Sequence, residues 1–553
     1  MKNIFKATLL FGIASSMALT GCIEEVEPTS SVTQDQLDAS IKAGKATLFA
    51  MPANMVEFTE ISVGWHGNFG YPGMMQIRDR LLDEMVCAKS GTTYNQWSLY
   101  EMARFSKDYW MPQVVWTFYS GQILTANKAL QTYPADIESE EGKGARAKAL
   151  AFRVMAMLDA ARWFEFLPNE KTSNINSDGN DVLKLTIPVV TENMTEAEAR
   201  NNPRKHHDDM VEFLLEDLKY AEENIEKAEA DLNVATLPNL AAVYGLYARV
   251  YMWDEDYANA AIYARKAIDA SKKTPLTGDQ LTDTKTGFNT LSNNSWIWGM
   301  QLTSETSAVL TGICNFVSMV SPETTYGYAG VGAGAYPAVG DGFYRRINNN
   351  DLRKSWWVPN SANLAQVSRI KLIRYETLAE KRAFCNNFEY APLKFRPNEG
   401  NCTEFSTASA GALPLMRVEE MHFIEIEATA HSNAPEGKKM LEDFMNTYRM
   451  KSGSTYSCKA TDADAIIEEI SFQKRVELWG EGQNFFDVKR LGYSVTRAYE
   501  KNNFYESCRF NTNGRPAWFN MPFVDYEAQN NKGMDGWNNP DTDGLYTPVK
   551  DFD

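Results

Sequence analysis

The chain has 553 residues, 44% of them hydrophobic and 12% aromatic, with 55 Lys and Arg against 72 Asp and Glu, a net charge of −17. An acidic balance of this size argues against nucleic acid and anionic membrane surfaces as partners, because both repel it. The apolar content is ample for a large core, yet nothing after residue 22 is apolar for the roughly 18 residues that a membrane-spanning helix needs.

The chain opens with a secretory leader. Lys2 and Lys6 supply a positive start, and the mostly apolar run 4–18 is too short and interrupted for a mature span. An ordinary leader ends in A-x-A. This one ends Leu19-Thr20-Gly21-Cys22, which resembles a bacterial lipobox, with an ordinary secreted protein and a chance cysteine as the alternative. In lipobox chemistry the Cys22 thiol receives a diacylglyceryl group, the chain is cut before Cys22 and the new N-terminus is acylated. Each buried CH₂ contributes about 0.8 kcal/mol, so several chains hold a protein where one does not. Residues 1–21 are therefore expected to be a lipoprotein signal peptide, Cys22 the palmitate-type lipid anchor, and 22–35 a polar, proline-containing tether. Six further cysteines remain, Cys87, Cys314, Cys385, Cys402, Cys458 and Cys508, with no CxxC. An exported protein can oxidise them, and Cys385 and Cys402 are close enough to bridge a loop, although spacing does not settle connectivity.

From residue 36 onward helical periodicity dominates. Residues 113–131 and the alanine-rich 144–166 carry apolar groups at three- and four-residue spacing, and 206–229 form a charged amphipathic helix. The clearest unit is 237–273, two helices around an Asp-Glu-Asp turn. Tyr244, Tyr247, Ala248, Tyr251, Ala260, Ala264 and Ala267 fall where a tetratricopeptide repeat places its packing residues, with Ala264 in place of the usual Phe. Small residues let the two helices approach and aromatics fill the groove to the next pair. Residues 417–450 and 462–491 read as further helix pairs. Between them the composition changes: 275–412 is rich in Gly, Asn, Ser and Tyr, with a short strand expected in SNNSWIWGMQ, and reads as an elaborated functional segment. From about Ser507 the chain reads as irregular and surface-wrapping. The expected fold is mostly α, tetratricopeptide-like repeats in an α-α superhelix with a loop-rich subdomain carrying short strands. It divides into 36–274, 275–412 and 413–553.

Several pieces together resemble the SusD/RagB family of Bacteroidetes surface lipoproteins. They are the lipobox with acidic Glu24 and Glu25 behind it, the helix pair WTFYSGQILTANKAL and GARAKALAFRVMAMLDAARWFEFLP, and the repeat unit 237–273. To these add ALPLMRVEEMHFIEIEATA, similar to the family's Pro-x-x-Arg-x-x-Glu helix at Pro414, Arg417 and Glu420. Last comes FQKRVELWGEGQNFFDVKRLG, similar to its Arg-x-Glu-Leu-x-Gly-Glu-Gly signature at Arg475, Glu477, Gly480, Glu481, Gly482, Asp487 and Arg490. The pattern departs from the family at Gln473, Lys474 and Asn484, and the charges of this stretch read as helix-packing ion pairs. The resemblance implies a nutrient-capture protein on the outer membrane, partnering a SusC-like TonB-dependent β-barrel transporter and binding glycans or, in some members, peptides.

No catalytic motif stands out: there is no HExxH, phosphate-binding loop or nucleophile elbow. The glycine run Gly330, Gly332 and Gly334 opens no helix after a strand, His206-His207-Asp208-Asp209 reads as a helix start, and Asp541-Thr542-Asp543-Gly544 lacks the distal Glu of a calcium loop. Neither an enzyme, a cofactor nor a metal is expected. Sugar recognition needs flat aromatics for the pyranose face and Asn, Asp, Arg or His for its hydroxyls, on exposed loops. Two clusters supply these: Trp65, His66, Asn68 and Tyr71 with Asn95 and Trp97, and Tyr326, Tyr328 and Tyr336. The resemblance points to the same two regions. Trp356-Trp357 reads as core instead. The expected function is a non-enzymatic, lipid-anchored glycan receptor feeding the transporter. The alternatives are a structural lid with peptide or little ligand affinity, and a surface hydrolase.

Overall fold

The computed structural model describes residues 34–59, 66–87, 105–330 and 336–550; the leader, Cys22 and the tether to residue 33 lie outside them. The chain parts into two units, 1–46 and 47–553. The long elements are α1 (Gln34–Asn54), α2 (Tyr71–Arg80), β1 (Met85–Cys87), α3 (Trp110–Thr132), α4 (Glu140–Phe164), α5 (His207–Asn224), α6 (Leu240–Trp253), α7 (Tyr257–Ser271), β2 (Trp296–Gln301), β3 (Pro337–Val339), α8 (Leu378–Asn387), β4 (Ala412–Arg417), α9 (Val418–Ser432), α10 (Ala434–Tyr448), α11 (Ala463–Glu477) and α12 (Asn484–Leu491). Among the described residues the protein is mostly helical, and its strands form only two two-stranded antiparallel sheets, β1 with β3 and β2 with β4.

The second unit is organised around α4. Of its 25 residues, the three at 140, 141 and 143 are the only ones outside the core. Its alanines let neighbours approach on every side: α3 and α5 pack on it, and a Cβ on Gly144 would lie 2.0 Å from the Ala228 amide nitrogen. A helix buried all round must pair its charges. Arg153 does so with Asp217 (2.8 Å) and Glu192 (2.6 Å), and Arg146 donates to Glu192 at 2.6 Å.

From α4 a file of helices continues through α5, α6 and α7. The α6–α7 hairpin has the expected geometry: Ala248, Ala260, Ala264 and Ala267 are fully buried between the helices, and Tyr247 stacks on Tyr263 at 4.2 Å. Asn239 and Asp256 cap the two N-termini with their side-chain oxygens. The next helix in the file is α9, which packs on α7 although some 140 residues, 275–412, intervene. The Arg249–Glu420 pair, two contacts of 2.7 Å, ties α6 to α9 within this stack. Helices α10 and α11 pack on α9 in turn. The inserted segment therefore leaves the stack unbroken.

Two sequence expectations change here. The motif of Pro414, Arg417 and Glu420 was likened to a helix, but 412–417 form β4, paired with β2 from Trp296↔Arg417 to Gln301↔Ala412. Pro414 is accommodated because a two-stranded sheet has only edge strands. The irregular tail also does more than wrap the surface: Trp518, Phe519, Met521 and Phe523 are buried in the main core. Trp356 and Trp357 are fully buried, as expected of core. Cys385 and Cys402 are buried free thiols with no bridge between them.

Candidate functional site

The signature stretch 472–492 is structural. Glu477, fully buried, receives Arg449 (2.7 Å), Arg417 (3.1 Å) and Arg353 (3.3 Å), and these three guanidinium groups outweigh burial to hold its carboxyl well below the usual range. Glu481 binds Lys394 at 2.6 Å and Arg417 at 2.8 Å. Arg353 and Lys394 come from the inserted segment, so these pairs clamp it to α11. The three departures from the family pattern keep working partners: Gln473 accepts from Arg353, Lys474 pairs with Asp487 at 2.6 Å, and Asn484 donates to Glu84 at 2.9 Å.

One residue of the first sequence cluster, His66, meets one of the second, Tyr328. His66, from the turn before α2, lies edge-on to Tyr328 with ring centroids 5.3 Å apart, and its Nδ1 is 3.7 Å from Cys314 Sγ. The turn is built by close backbone contact: Gly70, at φ 73°, has no room for a Cβ, which would meet Met55 O at 2.4 Å. Burial lowers the His66 pKa, so the ring is neutral at pH 7. From Cys314 the surface runs back to Leu310 and Ile313 and across to Phe405, whose ring edge faces Tyr326 at 6.3 Å. Here three large apolar side chains stand in solvent, Leu310 60%, Ile313 42% and Phe405 39% exposed, on a loop face that also carries hydroxyls of Thr and Ser. Tyr326 is half-buried, its hydroxyl 3.0 Å from Ser409 Oγ, and burial pushes its pKa up to about 12.

Four named candidates do not face this surface. Tyr71 is core: its hydroxyl donates to Asp159 Oδ2 at 2.9 Å and Arg78 lies over its ring. Asn68 is fully buried, exchanging 3.3 Å hydrogen bonds with the Thr59 backbone. Tyr328 and Tyr336 are 5% and 4% exposed. A glycine-rich setting suggested open rings, but Gly327, at φ 71°, packs tightly on Ser318 beside Tyr328. Trp65, Asn95 and Trp97 lie outside the described residues. Sequence reading missed Leu310, Ile313 and Phe405. Their signal is apolar residues among Thr, Ser and Glu without periodicity, in a segment where no helix face needs them.

Elsewhere a hollow of about 350 Å³ is floored by Trp116, Ile123, Leu124 and Pro188, but Trp116 Nε1 already donates to Glu527 at 2.8 Å. His206 caps α5 with its ring nitrogen, and His207 is bound to Glu165 at 2.7 Å. Among the described residues no group of three or more His, Cys, Asp or Glu could hold a metal ion, and no helix is long and apolar enough to cross a membrane.

Residues 315–550 match the sequence model of the SusD family. Among solved structures, a SusD-like carbohydrate binding protein from Bacteroides vulgatus shares the fold with a TM-score of 0.66 at 19% identity, covering 89% of this chain and 96% of that one. A putative sugar binding protein from the same species superposes at 0.63 with 18% identity, over 89% and 97% of the two chains. A SusD-like carbohydrate binding protein from Bacteroides fragilis gives 0.60 at 13% identity, over 89% and 99%. No curated protein matches the chain in sequence. With the helix file, the inserted loop segment and the buried signature charges in place, the chain matches the SusD family over residues 315–550 and shares the fold of SusD-like proteins along most of its length.

Proposed function

We propose that this protein is a non-enzymatic glycan receptor, lipid-anchored through Cys22 at the outer-membrane surface, that passes oligosaccharide to a SusC-like TonB-dependent transporter. The observation that carries the reading is the exposed apolar face of Leu310, Ile313 and Phe405, adjoining His66 and Tyr326. Flat or branched apolar groups cover the C–H face of a sugar, and the neutral imidazole and nearby hydroxyls can meet its rim. Two solved relatives of the same fold are described as SusD-like carbohydrate binding proteins, which supports the ligand class. The lipobox supports the anchor and the family supports the transporter partner.

Calorimetry of the mature chain against a panel of oligosaccharides tests the ligand. Saturable binding that Phe405→Ala weakens is expected. A protein that ignores every glycan yet binds peptides would replace the ligand class, and one that binds neither would leave the structural-lid reading in its place. Metabolic labelling with palmitate, abolished by Cys22→Ala, tests the anchor. Co-purification of a β-barrel of transporter size tests the partner.

A further inference from the structure

We propose that the cleft between the C-terminal ends of α4 and α6 and helix α12 is a carboxylate-binding site, suited to the acid group of a small hydroxy acid or of a uronic-acid sugar. It rests on the cleft alone and stands or falls separately from the loop-face reading. The cleft measures about 130 Å³ and opens to solvent. That is small beside the several hundred Å³ of typical ligand pockets, so it suits one acid end and not an oligosaccharide.

Its inner wall is made of donors. Arg162 is 8% exposed and stacks its guanidinium on the Phe486 ring at 3.7 Å. Only its Nη2 has a partner among the described residues, Asp159 Oδ1 at 2.5 Å, and Nε is buried with none. An unsatisfied buried guanidinium nitrogen is costly, and a bound oxygen reached directly or through one water relieves it. Among the described residues Lys489 and Arg515 have no carboxylate in contact. Lys489 donates to the carbonyls of Arg162 (2.9 Å), Trp163 (3.1 Å) and Glu165 (2.7 Å). Arg515 donates to the carbonyls of Lys489 (2.6 Å), Pro168 (2.5 Å) and Arg490 (3.1 Å). The one acid deep in the cleft, Glu165, is already occupied by His207 and Trp253, each at 2.7 Å.

The mouth has the opposite character. Asp254 and the exposed Glu255 stand on the turn between α6 and α7, where Glu255 takes φ 61°, a left-handed conformation uncommon outside glycine. A carboxylate seated inside would place hydroxyls of its adjoining carbons toward these two acceptors. A sulfate dianion, carrying twice the charge, would meet two carboxylates on entry. Guanidinium forks fit planar carboxylates, and the cleft's order of charges selects a monoanion with hydroxyls behind it.

Burial lowers the Lys489 pKa to about 7; Glu165 opposes this, while Arg515 and Arg204 push the same way. The remaining charged groups lining the cleft are Arg162, Lys184, His207, Asp254, Glu255 and Arg490. A bound anion favours the charged lysine, so affinity should fall as pH rises from about 6 to about 8, by up to roughly tenfold.

The test is calorimetry on the mature full chain with glucuronate, lactate, glucose and inorganic sulfate, a dianion at the working pH of about 6. Glucuronate or lactate should bind saturably, with glucose and sulfate at least about tenfold weaker. Tighter glucuronate identifies an acidic sugar and equal lactate a small hydroxy acid, and either supports the site. Arg515→Gln, at the half-buried edge, should weaken carboxylate binding several-fold in a chain that still unfolds cooperatively, and Glu255→Gln should let sulfate in. No carboxylate binding at millimolar concentration, glucose binding as well as glucuronate, sulfate binding tighter than either acid, or indifference to Arg515→Gln in a folded protein would each overturn the proposal.

Discussion

Phe405, His207 and Glu477 show how differently single side chains are used in one molecule. Phe405 keeps 39% of its surface in water, where an aromatic ring contributes little to folding. Phe405→Ala is therefore expected to leave the melting temperature within a degree or two, while lowering glycan affinity by about tenfold through lost stacking. Glu477 is the reverse case. Removing its charge takes the shared carboxylate from Arg353, Arg417 and Arg449, which keep Asp351, Glu481 and Glu419 as partners, and breaking buried pairs typically costs about 3–5 kcal/mol. Urea denaturation of Glu477→Gln should show a loss of that order without any direct contact to ligand. His207 adds a pH window. Burial would lower its pKa, but the hydrogen bond and charge of Glu165 raise it above the ordinary 6.5. Glu165 is in turn held below its ordinary 4.5 by His207, Lys489 and Trp253 despite burial. The acid's contribution is present above about pH 4.5 and lost as pH falls through its folded value. The histidine's is full below about pH 6.5 and lost as pH rises through its folded value. The stability gap between the native chain and His207→Gln should therefore be largest between about pH 4.5 and 6.5 and shrink on both sides.

At the scale of elements, helices were legible wherever one face repeats, as in α6, α7 and α10, because burial on one side imposes a 3.6-residue period. Helix α4 shows the same spacing and a high alanine content, yet it buries nearly every residue, and its role as the central helix follows from being packed on all sides. Gly144 is where that packing is tightest. Gly144→Ala would raise helix propensity in a peptide but here drives a methyl into the backbone at Ala228, so a loss of about 1–3 kcal/mol is expected from chemical denaturation. The β4–α9 junction misleads because Pro414, Leu415 and Met416 fit helix and buried strand alike. Pairing with Trp296–Gln301, distant in sequence, decides between them.

For the whole molecule, the stack of helices is closed by two pieces that look peripheral in sequence. The inserted segment 275–412 is clamped by Arg353 and Lys394 on α11, and the tail threads Trp518, Phe519 and Phe523 into the core. Deleting 507–553 should abolish cooperative unfolding rather than trim a flexible end, which circular dichroism through a thermal ramp would report. The sequence alone determined the helical class, the repeat hairpin, the resemblance to SusD/RagB proteins and the expectation of a lipid anchor, since each is written in local periodicity or contiguous motifs. Which aromatic rings reach solvent was decided only by the tertiary structure. Tyr71, Tyr328 and Phe405 are chemically alike and all lie near glycines, yet only Phe405 is exposed. Exposure is a property of what packs above a residue, and those neighbours come from chain segments hundreds of positions away.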